Sequence, residues 1–455
     1  MPPPPPPPPP APEETTSGSR IQGSIFKWVI PILAGLLGIG LLFLLVTLFF
    51  LPRFSGGEKS PQPVTLTYWG LWEETPVVKP IIDTYTSLNP HVTINYQQQS
   101  HRDYRERLQS ALASGSGPDI FRFHNTWVPM LRSELAPVPP TLFDTAAFSS
   151  TFYPVAQKDL VVGNSIVGVP LMIDGLGLYY NKTIFTAAGK SPPQNWEELR
   201  QTAFDLVVRD QIGRLQTAGI ALGTTTNVEH WPDILALMIL QNGGNPADPS
   251  STATADALRF YTIFSTSDRV WDDSLPNSIF AFATEKVAMI IAPSWQAHAI
   301  KEINPDIDFA IIPVPQLPGN TITWASYWAE GVSEKSQNQE AAFKFLQYLS
   351  DRGTLVNFYT EASKVRLFGE PYSRRDLAET LESDEFVGAY ITQAPDAQSF
   401  YLASRTFDNG INDKIIKYYE DAVNAVNQGE DAQKALQTVA QGVAQVLSQY
   451  GIVTQ

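Results

Sequence analysis

Between residues 64 and 123 the apolar pattern switches repeatedly between a period of two and a helical period, which restricts the fold more than any other property of the chain. Val64, Leu66 and Tyr68 share one strand face. Val78, Ile81, Ile82, Tyr85 and Leu88 follow at helical spacing and stop at Asn89-Pro90. Val92, Ile94 and Tyr96 alternate again. Tyr104, Leu108, Ala111 and Leu112 mark a second helix, closed by Gly115-Ser116-Gly117-Pro118, and residues 119–123 read as a third strand. Strands joined through helices by short turns imply right-handed crossovers and a parallel sheet. Ligands of such sheets sit at the carboxyl ends of the strands, which here carry Trp69-Gly70-Leu71-Trp72-Glu73 and His124-Asn125-Thr126-Trp127.

The run 166–182, IVGVPLMIDGLGLYYNK, has strand character on both sides of one carboxylate. Val167, Val169, Leu171 and Ile173 alternate before Asp174-Gly175, and Leu176, Leu178 and Tyr180 after it. Pro170 cannot donate to a ladder, which argues against an uninterrupted central strand. The segment is expected to leave one sheet and enter another, with Asp174 either a capped turn residue or a ligand-facing group.

Downstream, Asn195-Trp196-Glu197-Glu198-Leu199 starts a helix, and another begins near Trp231-Pro232. Residues 287–291, 309–314 and 325–332 read as strands. Amphipathic helices follow at 341–349, at 415–426 and around Leu436, Val439, Val443 and Val446, the last two separated by Gly429. A chain of 455 residues is too long for one ordinary core, so two or more lobes are expected.

The amino terminus is of another kind. Pro2–Pro10 is an unbroken proline run, a polyproline II rod of roughly 28 Å at about 3.1 Å per residue. Residues 28–51 contain no charge and are long enough to cross a hydrocarbon core of about 30 Å. No small-residue cleavage site follows, because Phe49-Phe50-Leu51-Pro52 is bulky, so the segment reads as an uncleaved signal anchor. The flanking charges nearly tie, Arg20 and Lys27 against Arg53 and Lys59. The expected orientation puts the short tail in the cytoplasm and the large domain outside.

A net charge of −15 argues against nucleic acid as a partner. With no cysteine, disulfides, thiolate nucleophiles, thiolate–zinc sites and a lipid carried on an N-terminal cysteine are all excluded. There is no GxSxG and no Walker A loop, the five histidines lack ligand spacing, and the neighbours Glu73-Glu74 and Asp272-Asp273 point apart. Neither catalytic residues nor a metal or cofactor are expected.

From about Val64 to Tyr450 the sequence resembles the bacterial family 1 extracellular solute-binding proteins, the maltose-binding-protein-like substrate receptors of ABC importers. The resemblance rests on Ala113-Ser114-Gly115 followed by Pro118-Asp119-Ile120-Phe121, and on Gly168-Val169-Pro170 with Leu178-Tyr179-Tyr180-Asn181-Lys182. Pro192-Pro193-Gln194-Asn195-Trp196-Glu197-Glu198-Leu199, Gln241-Asn242-Gly243-Gly244, Trp295, residues 305–309 (PDIDF) and residues 340–346 (EAAFKFL) continue it in order. It implies an α/β, two-lobed periplasmic-binding-protein-like fold, with a central, mostly parallel sheet in each lobe, which here would follow the one transmembrane helix expected from residues 28–51. The corresponding layout is a disordered tail at 1–24, the anchor at 25–52 and a tether at 53–63. One lobe takes 64–172 and 316–366, the other 173–315 and 367–455. The peptide anchor departs from relatives that are cleaved or lipidated.

Sugar recognition needs flat apolar faces for pyranose rings and polar groups for vicinal hydroxyls. The resemblance and the element ends nominate Trp69, Glu73, Asn125, Asp174, Glu229, Trp231, Trp295, Tyr327, Trp328, Arg366, Asp408 and Asn409. Lobe core competes as a reading of Trp69, a solvated charge of Glu73, a salt bridge of Arg366, and helix caps of Asn125, Asp408 and Asn409. The expected function is capture of a mono- or oligosaccharide by hinge closure and delivery to ABC permease subunits. A surface sensor or adhesin on the same fold and a secreted carbohydrate-active enzyme are the alternatives.

Overall fold

The alternation over 64–124 folds as its pattern requires. The computed structural model describes residues 26–49 and 62–453; the tail expected at 1–24 and nearly all of the tether lie outside them. In chain order the strands are β1 (Val64–Gly70), β2 (Val92–Gln98), β3 (Ile120–His124), β4 (Val161–Val162), β5 (Ser165–Ile166), β6 (Val169–Pro170) and β7 (Gly177–Asn181). They continue with β8 (Val208–Arg209), β9 (Leu215–Ile220), β10 (Val287–Ala292), β11 (Phe309–Ile312), β12 (Thr323–Trp324), β13 (Trp328–Val332) and β14 (Ala397–Gln398).

The first sheet has the order β2-β1-β3-β13-β6 and the second β11-β7-β10-β9-β8. The chain thus passes from one sheet to the other between β6 and β7, across Asp174. Pro170 is tolerated because β6 is an edge strand. Gly175 is required at the crossing, since a Cβ there would lie 1.9 Å from the Trp324 carbonyl oxygen. Residues 323–332 make a second passage, with β12 paired to β14 and β13 in the first sheet.

The expectation of mostly parallel sheets needs correction. β1 runs parallel to β2 and β3, but β13 is antiparallel to both β3 and β6. In the second sheet only β9 and β10 are parallel; β7 opposes β10 and β11, and β8 opposes β9. The reason is connectivity. A βαβ unit fixes a parallel neighbour, a strand arriving from the other lobe enters from the opposite end, and the short turn between β8 and β9 reverses the chain within one sheet. Both sheets are mixed.

Local chemistry explains several of the motifs. Asn181 ends β7 and caps the next helix, its Oδ1 accepting from the Ile184 N–H at 2.9 Å. Asn195 caps the helix Trp196–Asp205, accepting from the Glu198 N–H, while the Glu198 carboxylate accepts from the Gln194 N–H, both at 2.9 Å. Asp119 accepts from the Thr67 N–H at 2.8 Å and so joins the start of β3 to β1.

Residues 63–455 form one compact unit with its own core. Separately, Phe26–Phe49 is a 24-residue α-helix. Among the residues whose side chains are described, no helix is long and apolar enough to cross a membrane. In Phe26–Phe49 those are residue 35 and residues 37–47.

Candidate functional site

A cavity of about 680 Å³ lies between the two sheets. Its first-lobe wall is aromatic. Trp72, just past the end of β1, stacks on His101 with centroids 5.8 Å apart and meets Trp328 edge-on at 5.6 Å. Trp328 is held in turn by His124 and Trp127, at 5.1 and 5.2 Å. Phe407 packs on His101 at 4.7 Å. The opposite wall presents Trp295, 42% exposed at the start of the helix Gln296–Ile303, and Phe280. His230 meets the Trp295 ring edge-to-face at 5.4 Å, and the residue stays 42% exposed at the cavity.

Polar groups sit between these faces. Asp174 Oδ1 accepts from the Gly175 N–H at 2.8 Å, and Oδ2 accepts from the Ser294 hydroxyl at 2.8 Å. Burial pushes its carboxyl up to about 7, against the opposing effect of these hydrogen bonds. Asp233 accepts from the Trp324 indole at 2.9 Å and from the Ser404 N–H at 3.0 Å, and burial raises it to about 6. His230 lies 2.8 Å from both the Ser404 hydroxyl and the Gln296 amide. Burial pushes this imidazole down to about 3, so it is neutral at pH 7. Glu229 is ion-paired with Arg405, and Arg366 donates to Glu370 at 2.7 Å.

Of the nominated residues, Asp174, Glu229, Trp295, Tyr327, Trp328 and Arg366 line this cavity. The other six do not. Trp69 is still inside β1 and donates its indole N–H to Gln97 on β2 at 3.0 Å. Glu73 is 3% exposed and ion-paired with Arg122, which also donates to Glu330 at 2.7 Å. Burial opposes the charge of Glu73, but Arg122 outweighs it and holds the carboxyl below its ordinary value. Trp231 is buried in the first turn of the helix Trp231–Gln241. Asp408 is fully buried and caps the helix Ile411–Asn427, accepting from the Gly410 and Asn412 N–H groups. Asn409 turns outward, with φ +42°, to donate to Glu106 at 2.9 Å.

Asn125 is buried outside this cavity. Its amide donates to Asp159 at 2.8 Å, and the Tyr327 hydroxyl donates to the same carboxylate at 3.0 Å. Ser399, just past β14, donates to the other oxygen. Asp159 thus ties together three chain segments. Tyr327 reaches the cleft only with its buried ring.

Sequence reasoning missed Trp72, His101, His230, Asp233, Phe280 and Phe407. The available signal for Trp72 was the strand end: the first aromatic beyond Gly70 faces the cleft, while Trp69 within the strand packs. His101 and Phe407 lie in loops without periodicity and gave none. Among the described residues there is no cluster of three or more His, Asp or Glu side chains suited to a metal.

Two sheets joined by repeated crossings over an enclosed cleft define a two-lobed α/β binding protein. A model of the bacterial extracellular solute-binding protein family matches residues 72–354, and the chain belongs to that family. It is similar to the multiple sugar-binding protein of Streptococcus mutans serotype c, 25% identical over 367 residues, 73% of this chain and 81% of that protein. Among solved structures, it is similar to the cyclic α-maltosyl-1,6-maltose binding protein from Arthrobacter globiformis, with a TM-score of 0.69 and 20% identity over 85% of this chain and 100% of that one. A cyclo/maltodextrin-binding protein complexed with maltotetraose gives a TM-score of 0.70 at 16% identity, over 86% and 99%. At such identities the structural likeness establishes the two-lobed fold.

Proposed function

We propose that the large domain captures a mono- or oligosaccharide between its lobes and delivers it to an ABC permease, without chemistry. The observation that carries this reading is that the exposed Trp295 and the Trp72–Trp328 pair line one cavity of about 680 Å³. Two apolar faces with carboxylates and amides between them match a pyranose, whose C–H faces stack and whose hydroxyls need paired partners. The name of the Streptococcus mutans relative points to the same class of ligand. Ligand favours the closed arrangement because only that state contacts it from both lobes.

The domain is held outside the cell by residues 28–51, with the short tail in the cytoplasm. In support, the helix Phe26–Phe49 is 24 residues long, roughly 36 Å at about 1.5 Å per residue. Its apolar side chains from Leu37 to Val46 are 44–71% exposed.

A thermal-shift screen of the full chain with sugars, polyols, polyamines and phosphate esters tests the ligand class. A stabilising sugar is expected. Stabilisation by another class alone, or release of glycan fragments during incubation, overturns the reading.

A further inference from the structure

A second cavity, of about 340 Å³, lies behind the hinge. The first lobe supplies residues around Val128 and Arg132, together with Lys158 and β4. The second supplies Tyr450 and Ile452, which follow a helix packed on Ile411–Asn427 and Thr252–Thr266. Ser399, Phe400 and Tyr401, just past β14, line it as well. The cavity belongs neither to the cleft nor to one lobe alone.

Its chemistry is specific. Arg132 and Lys158 are exposed at its walls, and among the described residues no ion pair or side-chain hydrogen bond engages either cation. In a chain of net charge −15, two unengaged cations at one cavity make a local positive site that draws anions. The one lining carboxylate, Asp159, already accepts from Asn125, Tyr327 and Ser399. Phe400, Tyr401 and Tyr450 add aromatic surface beside the cations. A volume near 340 Å³ is within the range of small-ligand pockets.

We propose that this cavity is a second ligand site, taking a small aromatic anion whose carboxylate or phosphate group meets Arg132 and Lys158. Arg132 offers a planar fork and Lys158 a point charge, while the aromatic side chains hold the ring. Its chemistry does not depend on which class of ligand the cleft takes.

Phenyl phosphate titrated into the full chain in detergent, followed by calorimetry, tests this. Saturable binding is expected, weakened roughly tenfold or more in the double variant Arg132→Gln, Lys158→Gln. Because both positions are exposed, that variant should keep its unfolding midpoint. Hydrogen exchange should slow in residues 125–132 and 158–163 when the probe is added. No saturable binding at millimolar probe, equal affinity in the double variant, or protection confined to the cleft would each overturn the proposal. Inorganic phosphate binding as tightly as phenyl phosphate would remove the aromatic part of the assignment.

Discussion

Ser294 holds Asp174 twice, its hydroxyl donating to Oδ2 at 2.8 Å and its backbone N–H to Oδ1 at 3.2 Å. The contact ties the first crossing to the end of β10, so the carboxylate serves the fold as well as the cavity. With burial raising its carboxyl to about 7, the folded chain binds a proton that the unfolded chain has already lost above its ordinary value of 3.8. Stability from this residue is therefore present at low pH and is lost as pH rises towards and through 7. Relative to Asp174→Asn, the wild type is expected to lose on the order of a few kcal/mol between pH 5 and pH 8 in urea unfolding. Parallel stability curves for the two proteins would refute the assignment.

Two of the three cavity tryptophans, Trp295 and Trp328, differ in what supports them. Trp295 is 42% exposed, so Trp295→Ala should weaken sugar binding by about tenfold or more while barely moving the unfolding midpoint. Trp328 packs on Trp72, His124 and Trp127, so Trp328→Ala should lower both. Calorimetric titration beside thermal unfolding separates them; unchanged sugar affinity in Trp295→Ala would remove that residue from the site.

Arg122 lies buried between Glu73 and Glu330, and one oxygen of each carboxylate, Glu73 Oε1 and Glu330 Oε2, has no hydrogen-bond partner among the described residues. Arg122→Met would strand two buried carboxylates and should cost about 3–5 kcal/mol. Adding Glu73→Gln and Glu330→Gln should recover part of that loss. A single variant as stable as wild type, measured by urea midpoint and slope, would contradict the network.

Removing residues 1–62 takes away the helix Phe26–Phe49 and leaves the compact unit 63–455. Fused to a cleavable export signal, that unit should appear in the soluble extracytoplasmic fraction, with the full chain in the membrane pellet. Equal partitioning of both would show that residues 28–51 do not anchor the protein.

The legibility of the chain followed what periodicity encodes. Burial of strand faces makes β1 to β3 visible in sequence, and Pro170 with Asp174-Gly175 makes the first crossing visible. Strand direction is not periodic: β10 and β11 read clearly as strands, yet nothing local says that β7 opposes both. In the site, Asp408 and Asp174 illustrate the same ambiguity. A carboxylate beside a helix start or a turn looks alike whether it caps or binds, and only its three-dimensional partners distinguish the two. The resemblance led to Glu73 as a ligand residue, whereas the partner that captures it, Arg122, lies 49 residues away in sequence and in no local pattern.

Asp159 carries a mechanical consequence. Its carboxylate is pinned by Asn125 of the first lobe, by Tyr327 on the second passage and by Ser399 beside β14. A point where all three segments are fastened is a fulcrum. Under the proposed closure the lobes would act as two lever arms about it: small rotations at Asp159 would become large displacements at the cleft mouth, and whatever swings shut in front would swing open behind.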